Sequence, residues 1–136
     1  MSESQLLHHE LTRAIIGAFF QVHRDLGFGF LESVYVNALC VLLRQLGYTV
    51  EREVPYEIIY QGVSIGVYRA DVVVEGKVIV EGCTGRSIDN IYLACTRNYL
   101  RASKLEVGLL LNWGPSAEFR LTPSRLPGTS CRAASR

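Results

Sequence analysis

From Tyr68 to Cys83 the chain reads Tyr-Arg-Ala-Asp-Val-Val-Val-Glu-Gly-Lys-Val-Ile-Val-Glu-Gly-Cys, and this run constrains the fold more than any other. Its even positions Ala70, Val72, Val74, Val78 and Val80 are apolar, while its odd positions include Arg69, Asp71, Lys77, Glu81 and Cys83. Side chains alternate across a strand, so the pattern predicts one core face and one polar face. Glu75-Gly76 marks the turn. A two-residue turn pairs Ala70 with Glu81 and sends Asp71 to the other face. A three-residue loop with Gly76 as a left-handed bulge residue pairs Asp71 with Ile79 and leaves Glu81 diagonal to Asp71 on one face. Only the second register keeps the apolar face apolar on both strands, so the pattern selects it.

The segments before this hairpin have a different period. Leu11, Ile15, Ala18, Phe19, Val22 and Leu26 recur at helical spacing, predicting a helix from about residue 8 to about 25 that closes at Gly27-Phe28-Gly29. A second helix follows, with Leu31, Val34, Tyr35, Ala38, Leu42 and Leu46 as its expected buried stripe and Gly47 as its stop. Between Thr49 and Tyr60, β-favouring residues interrupted by Pro55 predict two short strands or an irregular edge. Ser87 or Asp89 can cap a third helix running to about Ser103. Glu106–Trp113 and Ala117–Leu121 then read as strands. From Thr122 onward Pro, Gly, Ser and Arg prevail without apolar periodicity. The expected organisation is one α/β domain over residues 1–122, a mixed β-sheet flanked by helices in the order ααβββαββ, with a disordered tail over 123–136.

Composition narrows the classes. The 136 residues suit a single core, and the formal net charge of +1 gives no global signature of a nucleic-acid binder. Apolar runs fall short of the about 18 residues that span a bilayer, so no membrane role is expected. Met1 to Glu10 has no secretory pattern. Cys40, Cys83, Cys95 and Cys131 form no C-x-x-C pair, which speaks against a zinc finger or a disulfide framework and for a reduced, cytoplasmic setting.

Asp71 and Glu81 are the candidate site. Neighbouring carboxylates repel unless a cation neutralises them, and hard oxygen ligands suit Mg²⁺ or Mn²⁺. The plainer reading of the same residues is a solvent-facing strand face on which they pair with Arg69 and Lys77. On the third helix Arg97, Arg101 and Lys104 fall on one stripe, either a phosphate-contacting surface or a solvated basic face. His8, His9 and His23 have no evident partners in the sequence, and Trp113, Phe119 and the tyrosines read as core or sheet-face residues.

A family resemblance enters at the second helix and the hairpin. Gly29-Phe30-Leu31-Glu32-Ser33-Val34-Tyr35 matches the G-x-x-E-x-x-Y signature of the GxxExxY proteins. Val22-His23-Arg24-Asp25-Leu26-Gly27, Tyr68-Arg69-Ala70-Asp71, Val78-Ile79-Val80-Glu81, Asn98-Tyr99-Leu100-Arg101 and Val107–Asn112 resemble further parts of that family in the same order. The likeness extends over roughly residues 8 to 122. It implies a PD-(D/E)XK nuclease-type fold and a divalent-metal-dependent phosphodiester hydrolase acting on nucleic acid. Asp71, Glu81 and Glu32 would be the metal-binding acids, although an acid in the first turn of a helix also complements its dipole.

Two positions depart from the pattern. Where the family has E-x-K, this chain has Glu81-Gly82-Cys83, and the third-helix glutamine is replaced by Cys95. A lysine there would hold the attacking water and offset transition-state charge; a thiol of reference pKa about 8.5 is neutral near pH 7 and does neither. Lys77 lies roughly 13 Å along the strand from Glu81, and Arg86 cannot give up its proton. Impaired catalysis is therefore expected. The alternative is a non-catalytic module on the same fold that binds nucleic acid or protein, or a structural subunit in a homo-oligomer. Cys83 and Cys95 with Asp71 and Glu81 would make a softer set suited to Zn²⁺, or the thiols could pair under oxidation.

Overall fold

A computed structural model describes residues 8–123. The elements run α1 (His9–Leu26), α2 (Glu32–Gln45), β1 (Val50–Tyr60), β2 (Val63–Val74), β3 (Val78–Cys83), α3 (Asn90–Ser103), β4 (Val107–Trp113) and β5 (Ala117–Pro123). This is the α/β order ααβββαββ that the periodicity predicts. The tail expected from 123 lies outside the described residues save Pro123, which ends β5; Thr122, where the composition shifts, is buried in that strand.

The five strands form one mixed sheet in the order β1-β2-β3-β4-β5. β3 and β4 are parallel, from Val78–Val107 to Cys83–Asn112, and the other neighbours are antiparallel. A parallel pair needs a crossover, and α3 supplies it. α1 and α2 pack on one face against Val72, Val74, Val78, Val80, Leu109, Leu111 and Trp113. α3 covers the other face, where Leu100 meets Tyr68, Ala70, Val73 and Ile79. No helix among the described residues is long and apolar enough to cross a membrane.

Thr49–Tyr60 is the irregular edge rather than two short strands: β1 is one edge strand carrying Pro55, with a register shift between Ile58 and Ile59. Three other expectations need correction. The second helix buries Tyr35 as expected and packs Ala38 and Leu42 partly buried against the core, but its other fully buried residues are Val36, Leu39, Cys40 and Leu43. Leu31, Val34 and Leu46 are exposed, since α2 is apolar on two sides and packing against α1 and the sheet chooses between them. The hairpin loop has three residues, Glu75-Gly76-Lys77, yet the register pairs Val73, not Asp71, with Ile79. The ladder ends at Val72–Val80, one residue short of Asp71. Finally, β2 changes phase at Asp71: Val72 and Val74 face the α1–α2 core while Ala70 joins Val73 on the α3 side. The partner strand is irregular at the same place, with Glu53 at φ 52° between the Arg52–Val72 and Val54–Ala70 pairs.

Candidate active site

The site forms where β2 and β3 part. Their ladder stops at Val72–Val80, and β3 continues only beside β4. Asp71 occupies the fork. Its Oδ2 accepts the Gly82 N–H at 2.9 Å, standing in for the next rung, and its carbonyl accepts from Arg52 Nε at 3.0 Å. Glu81 Oε1 accepts the hydroxyl of Tyr68. The Tyr68 ring is stacked on Tyr99 of α3 at 4.3 Å between centroids and faces Tyr56 of β1 at 6.1 Å. Gly82 separates Glu81 from Cys83 and admits no side chain: a Cβ there would sit 2.8 Å from Val36 Cγ2 and 3.0 Å from the Trp113 ring.

The entry to α2 brings the third acid. Tyr35 donates its hydroxyl proton to Gly27 O and accepts the Phe30 N–H at 3.2 Å, clasping the loop that precedes Glu32. Gly29 adopts φ 121° inside that loop, a conformation side chains rarely take. The spacing of Gly29, Glu32 and Tyr35 thus has a physical reading: the glycine bends the loop, the tyrosine holds it, and the glutamate between them is delivered to the fork. On the other side Asp89 caps α3 by accepting the Tyr92 N–H at 2.8 Å, which orients the first helical turn.

Electrostatics tie these groups together. Burial raises the pKa of Glu32, and the charge of Asp71 and a hydrogen bond with it add to the rise. Glu81 is pushed up to about 8 by burial, opposed by a hydrogen bond from the Asp71 backbone and reinforced by Glu32. Burial, then Glu32, pushes the Cys83 thiol up to about 12; a Gly85 backbone hydrogen bond opposes this, and Asp71 and Glu118 add to it. Tyr92 is raised by burial and by Cys83, Glu32, Glu81 and Asp71. Every charge acting on these four groups is another acid.

Glu32, Asp71, Glu81 and Cys83 thus act on one another electrostatically. Tyr68 and Tyr92 were missed as site residues, and neither carries a local signal, because only the strand fork and the α3 cap aim them at the acids. Lys77 is exposed in the hairpin loop, at the opposite end of β3 from Glu81. Arg97 is half-buried with an unpartnered Nε, whereas Arg101 and Lys104 are exposed. Arg101 and Lys104 lie about 14 to 18 Å along α3 from Tyr92. Cys83 is buried and Cys95 exposed, and both are free thiols. His23 meets the Gly114 carbonyl at 2.9 Å.

The donor chemistry of Glu32, Asp71 and Glu81 fits a hard divalent ion, since such ions take oxygen ligands. As arranged, they do not close around one: among the described residues no three His, Cys, Asp or Glu side chains form a group that could hold a metal ion.

The sequence model of the PD-(D/E)XK nuclease superfamily matches residues 9–122. Among solved structures the chain is similar to the crystal structure of SSO0001, at 24% identity and a TM-score of 0.48. That match covers 71% of this chain and 52% of the other, so the chain spans about half of its length. No curated protein matches the chain significantly.

Proposed function

The chain belongs to the PD-(D/E)XK nuclease superfamily, and from that premise we propose a GxxExxY-type nuclease domain whose phosphodiester hydrolysis is impaired. The observation that carries this reading is Cys83. It stands two residues beyond Glu81, at the position of the E-x-K lysine, and its buried thiol is pushed up to about 12 by its surroundings. A neutral thiol among acids neither offsets transition-state charge nor orients a water as an ammonium does. Glu32, Asp71 and Glu81 would hold Mg²⁺ or Mn²⁺, which when bound would activate water and stabilise charge on the phosphodiester. Tyr68 holds Glu81 in place through its hydroxyl, and the Gly82 N–H holds Asp71. Arg97, Arg101 and Lys104 would contact phosphates away from the reacting centre.

Zn²⁺ through Cys83 and Cys95 is the weaker reading, because Cys83 is buried while Cys95 is exposed. Metal analysis of protein purified without chelator decides it. A non-catalytic interaction module is favoured by a different observation, the exposed apolar side of α2 at Leu31, Val34, Val41 and Leu46.

The test is cleavage of single- and double-stranded DNA and RNA in Mg²⁺ and in Mn²⁺ by the natural chain, Cys83→Lys and Glu81→Ala. The expected outcome is weak or no cutting by the natural chain, cutting by Cys83→Lys, and silence from Glu81→Ala. Silence from all three discards the hydrolase reading.

A further inference from the structure

The three acids do not stand as a trio. Glu32 is hydrogen-bonded to the Asp71 side chain, whereas Glu81 Oε1 accepts the hydroxyl of Tyr68. The two faces of the sheet explain the split. Ile79 packs in the cluster on the α3 side together with Tyr68 and Leu100, and Glu81, two residues further along β3, shares that face. Glu32 opens α2, which lies against the opposite face. An ion shared by all three acids must therefore draw Glu81 back toward the fork.

Tyr68 resists that movement. The residue is buried, and its ring is stacked on Tyr99 at 4.3 Å and 4°, and on its cross-strand partner Tyr56 at 6.1 Å and 22°. A phenol oxygen lies on the ring axis, so it moves only if the whole ring does, and the two stacks hold the ring. The hydroxyl has Glu81 as its acceptor, and a buried donor that loses its acceptor is left unsatisfied. Asp71 is held by a backbone donor, the Gly82 N–H at 2.9 Å, which keeps it at the fork. The acid that has to move is thus Glu81.

We propose that Tyr68 is a latch on Glu81, so that a divalent cation enters the acid cluster only by taking the carboxylate from the tyrosine hydroxyl. The inference rests on the metal-binding reading of Glu32, Asp71 and Glu81. It makes Tyr68 a positioning residue that acts through Glu81, and a restraint on the site that is independent of Cys83. A hydrogen bond to a metal ligand ordinarily orients that ligand toward its metal. Here it does the reverse, because it holds Glu81 on the face away from α2. In that arrangement no three His, Cys, Asp or Glu side chains among the described residues form a group that could hold an ion. The bond to be given up corresponds to about a tenfold change in an equilibrium constant.

The test is calorimetric titration of Mn²⁺ into the full chain at fixed pH, without nucleic acid, alongside Tyr68→Phe, Tyr56→Phe and Glu81→Gln, each checked for an unchanged circular dichroism spectrum. Tyr68→Phe keeps both stacks and loses only the hydroxyl, and it should bind Mn²⁺ about five- to tenfold more tightly than the natural chain. Tyr56→Phe, a hydroxyl lost from the same stack, should leave the affinity unchanged, and Glu81→Gln should weaken it. In the natural chain, saturating Mn²⁺ should also perturb the near-ultraviolet absorption of a tyrosine, a signal that needs no variant to fold and that Tyr68→Phe removes. Equal or weaker binding by Tyr68→Phe, the same gain from Tyr56→Phe, or no tyrosine signal at saturation overturns the latch while leaving the metal reading standing. Absence of Mn²⁺ binding from the natural chain and Tyr68→Phe alike overturns both.

Discussion

Glu81 illustrates how one residue carries both the strain and the chemistry of the site. Its carboxyl is buried beside Glu32, hydrogen-bonded by Tyr68, and pushed up to about 8. The sign of the consequence follows from proton counting. Between the unfolded value near 4.5 and the folded value near 8 the native state binds the extra proton, so stability falls as pH rises through that window. Replacing Glu81 with glutamine, which cannot ionise, removes the penalty. In chelator, Glu81→Gln should match the natural chain near pH 4.5 and exceed it by on the order of 2 kcal/mol at pH 8.5, a figure already reduced for partial solvent screening. Urea unfolding at several pH values measures this, and parallel pH profiles for the two proteins would contradict it. Asp71 and Glu81 were legible in the sequence as an acid pair on alternating positions. That β2 and β3 pair only from Val72–Val80 to Val74–Val78, leaving Asp71 at the fork, was not, because the register depends on where the three-residue loop begins.

At the scale of elements, the G-x-x-E-x-x-Y segment shows why local spacing reads only part of a site. Gly29, Glu32 and Tyr35 share a loop and one helical turn, so their order is visible in the chain. The work of Tyr35 is not, since its hydroxyl closes back on Gly27 and Phe30 while its ring stacks on Trp113 from β4. Tyr35→Phe keeps the stack and removes the clasp. It should cost about 1 to 2 kcal/mol with an unchanged urea m-value, and a loss below a few tenths would show that the clasp carries nothing. The same element shows where periodicity misleads. Leu31, Val34, Ala38 and Leu42 are at good helical spacing, and so are Val36, Leu39, Cys40 and Leu43. A helix with two apolar stripes does not announce which one meets the sheet.

For the molecule as a whole, the strand lengths matter. β2 pairs with β1 from Val50–Val74 out to Tyr60–Val63, yet only three of its residues pair with β3. The inner part of the sheet is covered on both faces, whereas Ile59, Tyr60, Val63, Ile65 and Val67 at the hairpin tip are more than half exposed. Local opening should therefore begin at the tip. In hydrogen exchange, the amides of Val72–Val74, Val78–Val80 and Leu109–Leu111 should be the slowest, and those of Ile58–Val67 markedly faster. Uniform protection along β2 would show that the tip is held by something other than the sheet.

The sequence by itself determined the order of helices and strands and the amphipathic face of α1, and it narrowed the cap of α3 to Ser87 or Asp89. Each of these is written in neighbours a few residues apart, where backbone geometry sets the period. Only the tertiary structure decided that β2 and β3 part at Asp71, that Glu32 reaches the fork, that Tyr68 and Tyr92 join it, and that Cys83 lies buried among acids. Those facts depend on strand register, on a change of phase in β2 and on which side of α2 the sheet accepts. Such choices are settled by packing between residues tens of positions apart, and local pattern carries no record of them.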